Sequence, residues 1–171
     1  MKNLPKYMKL RRLLKGKRGV TLWRGESLYN GKPLKVVLRF DGNAKTNTMH
    51  TAYIVNDNDL TFNQSRQCGD DESNCGDCDL RGTYDASSER VFDRLCYISG
   101  NGLDMLHKSI ERGNYPDLWS LSDQAGLYIQ DAIDHLSPLE SGLRIGGWGD
   151  GSLVPWNIWD ALRAQERQVM T

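Results

Sequence analysis

The chain has 171 residues, with 22 Lys and Arg balanced by 22 Asp and Glu and a hydrophobic fraction of 39%. That length suits one domain, large enough to bury a core without needing a metal to fold. A formal charge of zero gives bulk electrostatics no polyanionic partner to favour, and no apolar run is long enough to span a bilayer.

Charge is unevenly placed. Lys2, Lys6, Lys9, Arg11, Arg12, Lys15, Lys17 and Arg18 all precede the first acid, Glu26. They interrupt Leu4, Met8, Leu10, Leu13 and Leu14, so a secretory signal is not expected and a reducing cytoplasm is. Residues 1–18 are expected to form a basic segment, either a solvated, frayed helix or a contact for nucleic acid or anionic lipid. Residues 19–171 are expected to form a single α/β domain.

Val20–Trp23 and Leu34–Phe40 have strand composition and flank a hairpin turn at Tyr29-Asn30-Gly31. Asp41-Gly42-Asn43 turns the chain into a third strand, Met49–Val55. Residues 63–102 hold few apolar positions and much Asp, Gly and Ser. A loop of that length in a compact domain is usually functional or disordered. Leu103–Arg112 has helical spacing and stops at Gly113. Ser120 or Ser122 caps a further helix carrying Ala125, Ile129, Ala132, Ile133 and Leu136 on one face. Leu143–Trp148 is a candidate buried strand, and Pro155 opens a last helix with Ile158, Trp159 and Leu162 inward. Strand, helices, strand, helix is the grammar of a parallel α/β layer.

All four cysteines, Cys68, Cys75, Cys78 and Cys96, fall within the polar stretch, spaced C-x6-C-x2-C-x17-C. Four thiolates are what a tetrahedral Zn²⁺ or a [4Fe–4S] cluster requires. Two disulfides or free thiols are the competing readings, but disulfides need an oxidising compartment and give no reason for the C-x2-C pair. Structural zinc sites usually combine two close pairs, and only one is present, whereas iron–sulfur sites tolerate such uneven spacing. Asp70, Asp71, Glu72, Asp77 and Asp79 crowd these cysteines. Their charge is expected to raise the thiol pKa values, or else simply to form a solvated surface, with Arg66 and Arg81 offsetting part of it.

A second constellation is Arg144, Trp148 and Asp150. On a strand Arg144, Gly146 and Trp148 would share a face, and Asp150 would stand at the carboxyl end, where α/β folds bind ligands. Arg144 and Asp150 are therefore the catalytic candidates. The competing reading is close packing at the glycines, with Asp150 capping the helix after it. Asn43, Lys45 and Thr46 lack the glycine spacing of a phosphate loop. His50, His107 and His135 are scattered; His50 is a substitute ligand should Cys68 prove free.

Four segments in order resemble an uncharacterised family of bacteriophage proteins with a cysteine-rich loop. They are Gly25–Pro33, Gly42–Thr46 leading into the strand at Met49, Cys75-Gly-Asp-Cys-Asp-Leu-Arg81 with Cys96-Tyr97, and Leu143-Arg-Ile-Gly-Gly-Trp-Gly-Asp150 with Val154-Pro155. The resemblance spans about residues 20–165. It implies a distant likeness to barrels that hold an iron–sulfur cluster near their strand ends, as radical-SAM enzymes do, although the C-x3-C-x2-C signature of those enzymes is missing. Relatives usually continue into further strands and a second cysteine group, so this chain resembles a C-terminally shortened member. That leaves catalysis open and makes a homodimer plausible.

The expectation is an α/β fold: a small N-terminal β-hairpin layer plus a partial (βα) barrel-like unit with a metal-binding loop. The expected function is that of a phage-encoded metalloprotein of the host cytoplasm holding a cluster, or zinc, on the four cysteines. The alternative is a zinc-stabilised, non-enzymatic module that binds a host or phage protein or, less strongly, nucleic acid.

Overall fold

The computed structural model of the protein describes residues 12–40, 50–96, 98, 100–119 and 143–163. Three strands form first: β1 (Gly19–Glu26), β2 (Pro33–Arg39) and β3 (His50–Asn56), each antiparallel to the next. A short strand, β6 (Leu143–Ile145), joins β3 in parallel, so the sheet order is β1-β2-β3-β6. Between β3 and β6 come α1 (Phe62–Gln67), α2 (Glu72–Cys75), the hairpin β4 (Thr83–Asp85) and β5 (Arg90–Phe92), and α3 (Gly100–Glu111). α4 (Trp156–Arg163) closes the described chain.

The sheet is covered on both faces because its side chains alternate. Val20, Leu22, Leu34, Val36, Leu38, Ala52 and Ile54 face one core, filled out by Leu14, Leu118, Ile158 and Trp159. Val37 and Val55 face the other, against Phe62, Leu103, Leu106, Tyr115 and Trp148. A register shift between Thr21 and Trp23 lets consecutive Leu22 and Trp23 enter the same core, as a β-bulge does. The basic N-terminal segment is tied down at its end, since Leu14 is buried in the first core.

The hairpin strands and β6 share one mixed sheet, so the hairpin is not a separate layer. The α/β class holds, with the β3–β6 pairing as the parallel element. β6 is shorter than the expected Leu143–Trp148 strand. Gly146 takes φ +79° and ends it, and Trp148 instead turns inward to pack on Phe62, ring centroids 5.7 Å apart. The glycines here admit the neighbouring strand and loop. A Cβ at Gly149, where φ is +80°, would stand 2.5 Å from the Ile54 carbonyl oxygen and 2.8 Å from that of Asn74.

α1 begins with a capping box, Thr61 and Gln64 exchanging side-chain and backbone hydrogen bonds. α3 starts three residues earlier than the spacing predicts, and Leu103 and Leu106 form its buried stripe. α4 follows Pro155 as expected, with Ile158 and Trp159 inward. The expected turn at Asp41–Asn43, the helix after Ser120, Lys45, Thr46, His135 and the Leu162 side chain lie outside the described residues. No helix among the described residues is long and apolar enough to cross a membrane.

Candidate metal centre

The polar stretch lacks an apolar core of its own, and its cohesion comes from a buried ion triad. Asp71 is fully buried. Arg94 grips its carboxylate in a bidentate pair, Nη1 to Oδ2 at 2.8 Å and Nη2 to Oδ1 at 3.2 Å. Arg81 Nε donates to Oδ1 at 3.1 Å. Both guanidiniums also tie down backbone: Arg81 donates to the Gly69 carbonyl and Arg94 to that of Arg66. A buried carboxylate is tolerable only when so paired.

Buried amides then fix this unit to the sheet. Asn56, the last residue of β3, donates to the Asp70 carbonyl at 2.8 Å and to Ser73 Oγ at 2.7 Å. Ser27, just after β1, donates to the Ser73 carbonyl. Asn74 donates to the Ile54 carbonyl, and its own carbonyl accepts from the Asp150 amide at 2.7 Å. The loop therefore docks where β1 and β3 end. This polar network holds together a segment that lacks an apolar core of its own.

The cysteines are placed by these contacts. Cys75 ends α2, half-buried against the Phe62 and Trp148 core. Cys78 is exposed and precedes the 3-10 turn Asp79–Arg81. Cys96 follows the β4–β5 hairpin, and its amide donates to the Leu80 carbonyl at 2.9 Å, which returns it beside the C-x2-C pair. No disulfide joins any two of the four. Burial, then the charges of Asp71, Cys78 and Cys96, push the Cys75 thiol up to about 12. Cys78 and Cys96 thus each lie within electrostatic reach of Cys75. Cys68 caps α1 and lines an open groove with Lys32, Asp70 and Tyr84, its thiol directed at the Ser65 carbonyl 3.6 Å away.

Among the described residues no three His, Cys, Asp or Glu side chains are grouped closely enough to hold a metal ion. Thiolates are the donors that Zn²⁺ and iron–sulfur clusters take, and a thiol held near 12 is protonated at neutral pH, so a metal bound there would have to displace its proton. The acids divide their work. Asp71 adds to the rise at Cys75, as the crowding of acids led us to expect, whereas Asp70 pairs with Lys32 at 2.7 Å. Arg66 donates to the Cys96 carbonyl at 3.4 Å.

Arg144 and Asp150 are not brought together. Asp150 accepts from the Ser152 amide at 2.8 Å and caps the turn Gly151–Leu153, which is the competing reading of that residue. Arg144 lies on β6 opposite Thr51, at the other end of the sheet from the cysteines. His50 opens β3, a seven-residue strand, so it stands roughly 20 Å from the loop end of the strand. His107 stacks edge-on against Phe62. Sequence reasoning missed Arg94, Asn56 and Asn74. Arg94 had one available signal, as a basic residue in an acid-rich stretch; the two asparagines had none.

Comparison with known proteins finds no matching family model, no similar curated protein and no similar solved structure.

Proposed function

We propose that the protein is a metalloprotein that holds an iron–sulfur cluster, in preference to Zn²⁺, on the cysteines of its polar loop. The observation that carries this is the return of Cys96 to the C-x2-C pair, its amide bonded to the Leu80 carbonyl at 2.9 Å, with Cys75 half-buried at the end of α2. Thiolates contributed by neighbouring loops are the donors that such a cluster takes. Cys75, Cys78 and Cys96 would supply three thiolates and Cys68 the fourth. When bound, a cluster supplies one-electron redox chemistry or purely structural cross-linking. The chain's own residues hold the loop: the Arg81–Asp71–Arg94 triad fixes α2, and Asn56 and Asn74 fix it to the sheet. Arg94 also works against the rise in the Cys75 pKa, which eases formation of the thiolate.

The family resemblance extends this reading to a phage-encoded protein of the host cytoplasm, with the β3–β6 pairing as the start of a barrel-like unit. Anaerobic purification with visible absorbance and iron and sulfide analysis tests it. Iron and sulfide in equal amounts support the cluster. A colourless protein with one tightly bound zinc rejects the cluster and keeps the metal, and a metal-free, reduced protein rejects both.

One observation favours a second reading, a metal-pinned interaction module. Leu80, Tyr84, Phe92 and Leu95 are exposed on the hairpin and its flanks, beside the cysteines. By register Tyr84 and Phe92 stand on opposite faces of the hairpin, so each face offers a partner one exposed ring. Affinity capture from host lysate, with the full chain against a Leu95→Asp variant, distinguishes this reading from a stand-alone redox protein.

A further inference from the structure

At the end of β3 away from the cysteines, Arg18, Arg39, Arg112 and Arg144 line one cavity of about 470 Å³. Strand register explains how two of them meet. Arg39 pairs with Thr51, and Thr51 pairs with Arg144, so one row across β2, β3 and β6 sets a hydroxyl between two arginines. Cross-strand neighbours lie about 5 Å apart, which puts both side chains within reach of one ligand. Arg18 precedes Gly19, the β1 partner of Arg39, and Arg112 comes just after the end of α3.

None of the described residues lining this cavity is acidic. No ion pair holds any of these four arginines among the described residues, whereas Arg24, Lys32, Lys35, Arg81 and Arg94 are all paired. Arg39 Nε and Thr51 Oγ1 are, in addition, buried without a hydrogen-bond partner among them. Buried polar atoms are ordinarily satisfied, and like charges in one concavity repel. A ligand that brings negative charge and acceptor oxygens resolves both costs. Guanidinium groups match phosphate oxygens bidentately, and the volume falls within the range of small-molecule sites.

We propose that this cavity binds a small phosphorylated molecule, its phosphates held by Arg39 and Arg144 over Thr51 and its organic part against Met105 and Leu106. A single carboxylate would leave most of the four positive charges uncompensated, and a di- or triphosphate would not. The site is independent of the cysteines, and phosphate affinity does not read metal content, so its failure leaves the metal reading standing.

Calorimetric titration of the full chain with pyrophosphate and with ADP tests the inference, alongside citrate and a single-stranded oligonucleotide. Binding of pyrophosphate or ADP is expected, weakening with added salt. Arg144→Gln is expected to weaken it about tenfold or more, and so is Arg112→Gln, a change at an exposed position that does not threaten folding. Failure of both phosphates to bind overturns the proposal, as does binding confined to citrate or to the oligonucleotide. Phosphate binding that neither variant weakens overturns it too.

Discussion

Arg94 and Asp71 meet in a bidentate pair at the centre of the cysteine loop, 2.8 and 3.2 Å apart, with the carboxylate wholly shielded from water. Removing one partner of a buried pair strands the other charge, which costs roughly 3–5 kcal/mol. Arg94→Met leaves Asp71 the single hydrogen bond from Arg81, so a loss towards the lower end of that range, about 3 kcal/mol, is expected. Urea denaturation checks it; a loss below about 1 kcal/mol would mean that the pair is solvated, as surface pairs are.

The Cys75 thiol gives the fold an alkaline limit. Its folded pKa is raised from 9.0 to about 12, so the folded state holds the proton more tightly than the unfolded state does. Stability is then full below about 9 and declines as pH rises towards about 12. Cys75→Ala should flatten the part of this decline that the thiol contributes. Melting temperatures of the two proteins across that window provide the comparison, and parallel curves would contradict the assignment.

Thiol reactivity should track exposure and pKa together. In metal-free protein at mildly alkaline pH, exposed Cys78 is expected to alkylate first and Cys75 last. Metal loading should protect whichever sulfurs are ligands, and its apparent affinity should climb with pH as protons are released. Mass spectrometry of the alkylated peptides reads both. Protection that includes Cys68 identifies a four-sulfur centre; protection of the other three alone leaves one coordination position to another donor.

Gly149 stands between two carbonyl oxygens at a positive φ. An alanine there meets both the strained backbone and the approach of Ile54 and Asn74. Roughly 1–3 kcal/mol of strain is expected from the dihedral alone, with the steric contact added to it. Gly113→Ala, at φ +70° with open space around it, should cost less than Gly149→Ala. Equal losses in thermal melts would remove the close-approach explanation.

Strands β1 to β3 are legible in the chain because alternation writes burial directly into sequence: Leu34, Val36 and Leu38 against Lys35, Val37 and Arg39. α3 and α4 are legible for the same reason at helical period, helped by Gly113 and Pro155. β6 is legible at its start, Leu143, and not at its end, since Trp148 reads as a continuing strand until Gly146 is seen to turn the chain. Within the candidate centre, the confinement of the cysteines to one polar segment is plain from the sequence. The division that places Cys68 on the groove beside Lys32 is not, because one residue's direction at a helix end depends on what the helix packs against.

Sequence alone therefore determined the first three strands, the end of α3, the start of α4 and the confinement of four thiols to one polar segment, because each is a local property of neighbouring residues. Tertiary structure decided that Asp71 is buried between Arg81 and Arg94, that Asp150 is a cap, and that Arg144 joins three other arginines at the far end of the sheet. Those outcomes turn on charges distant in the chain. Whether such groups meet, and whether water is excluded when they do, is set by strand register and layer packing, which no local pattern records.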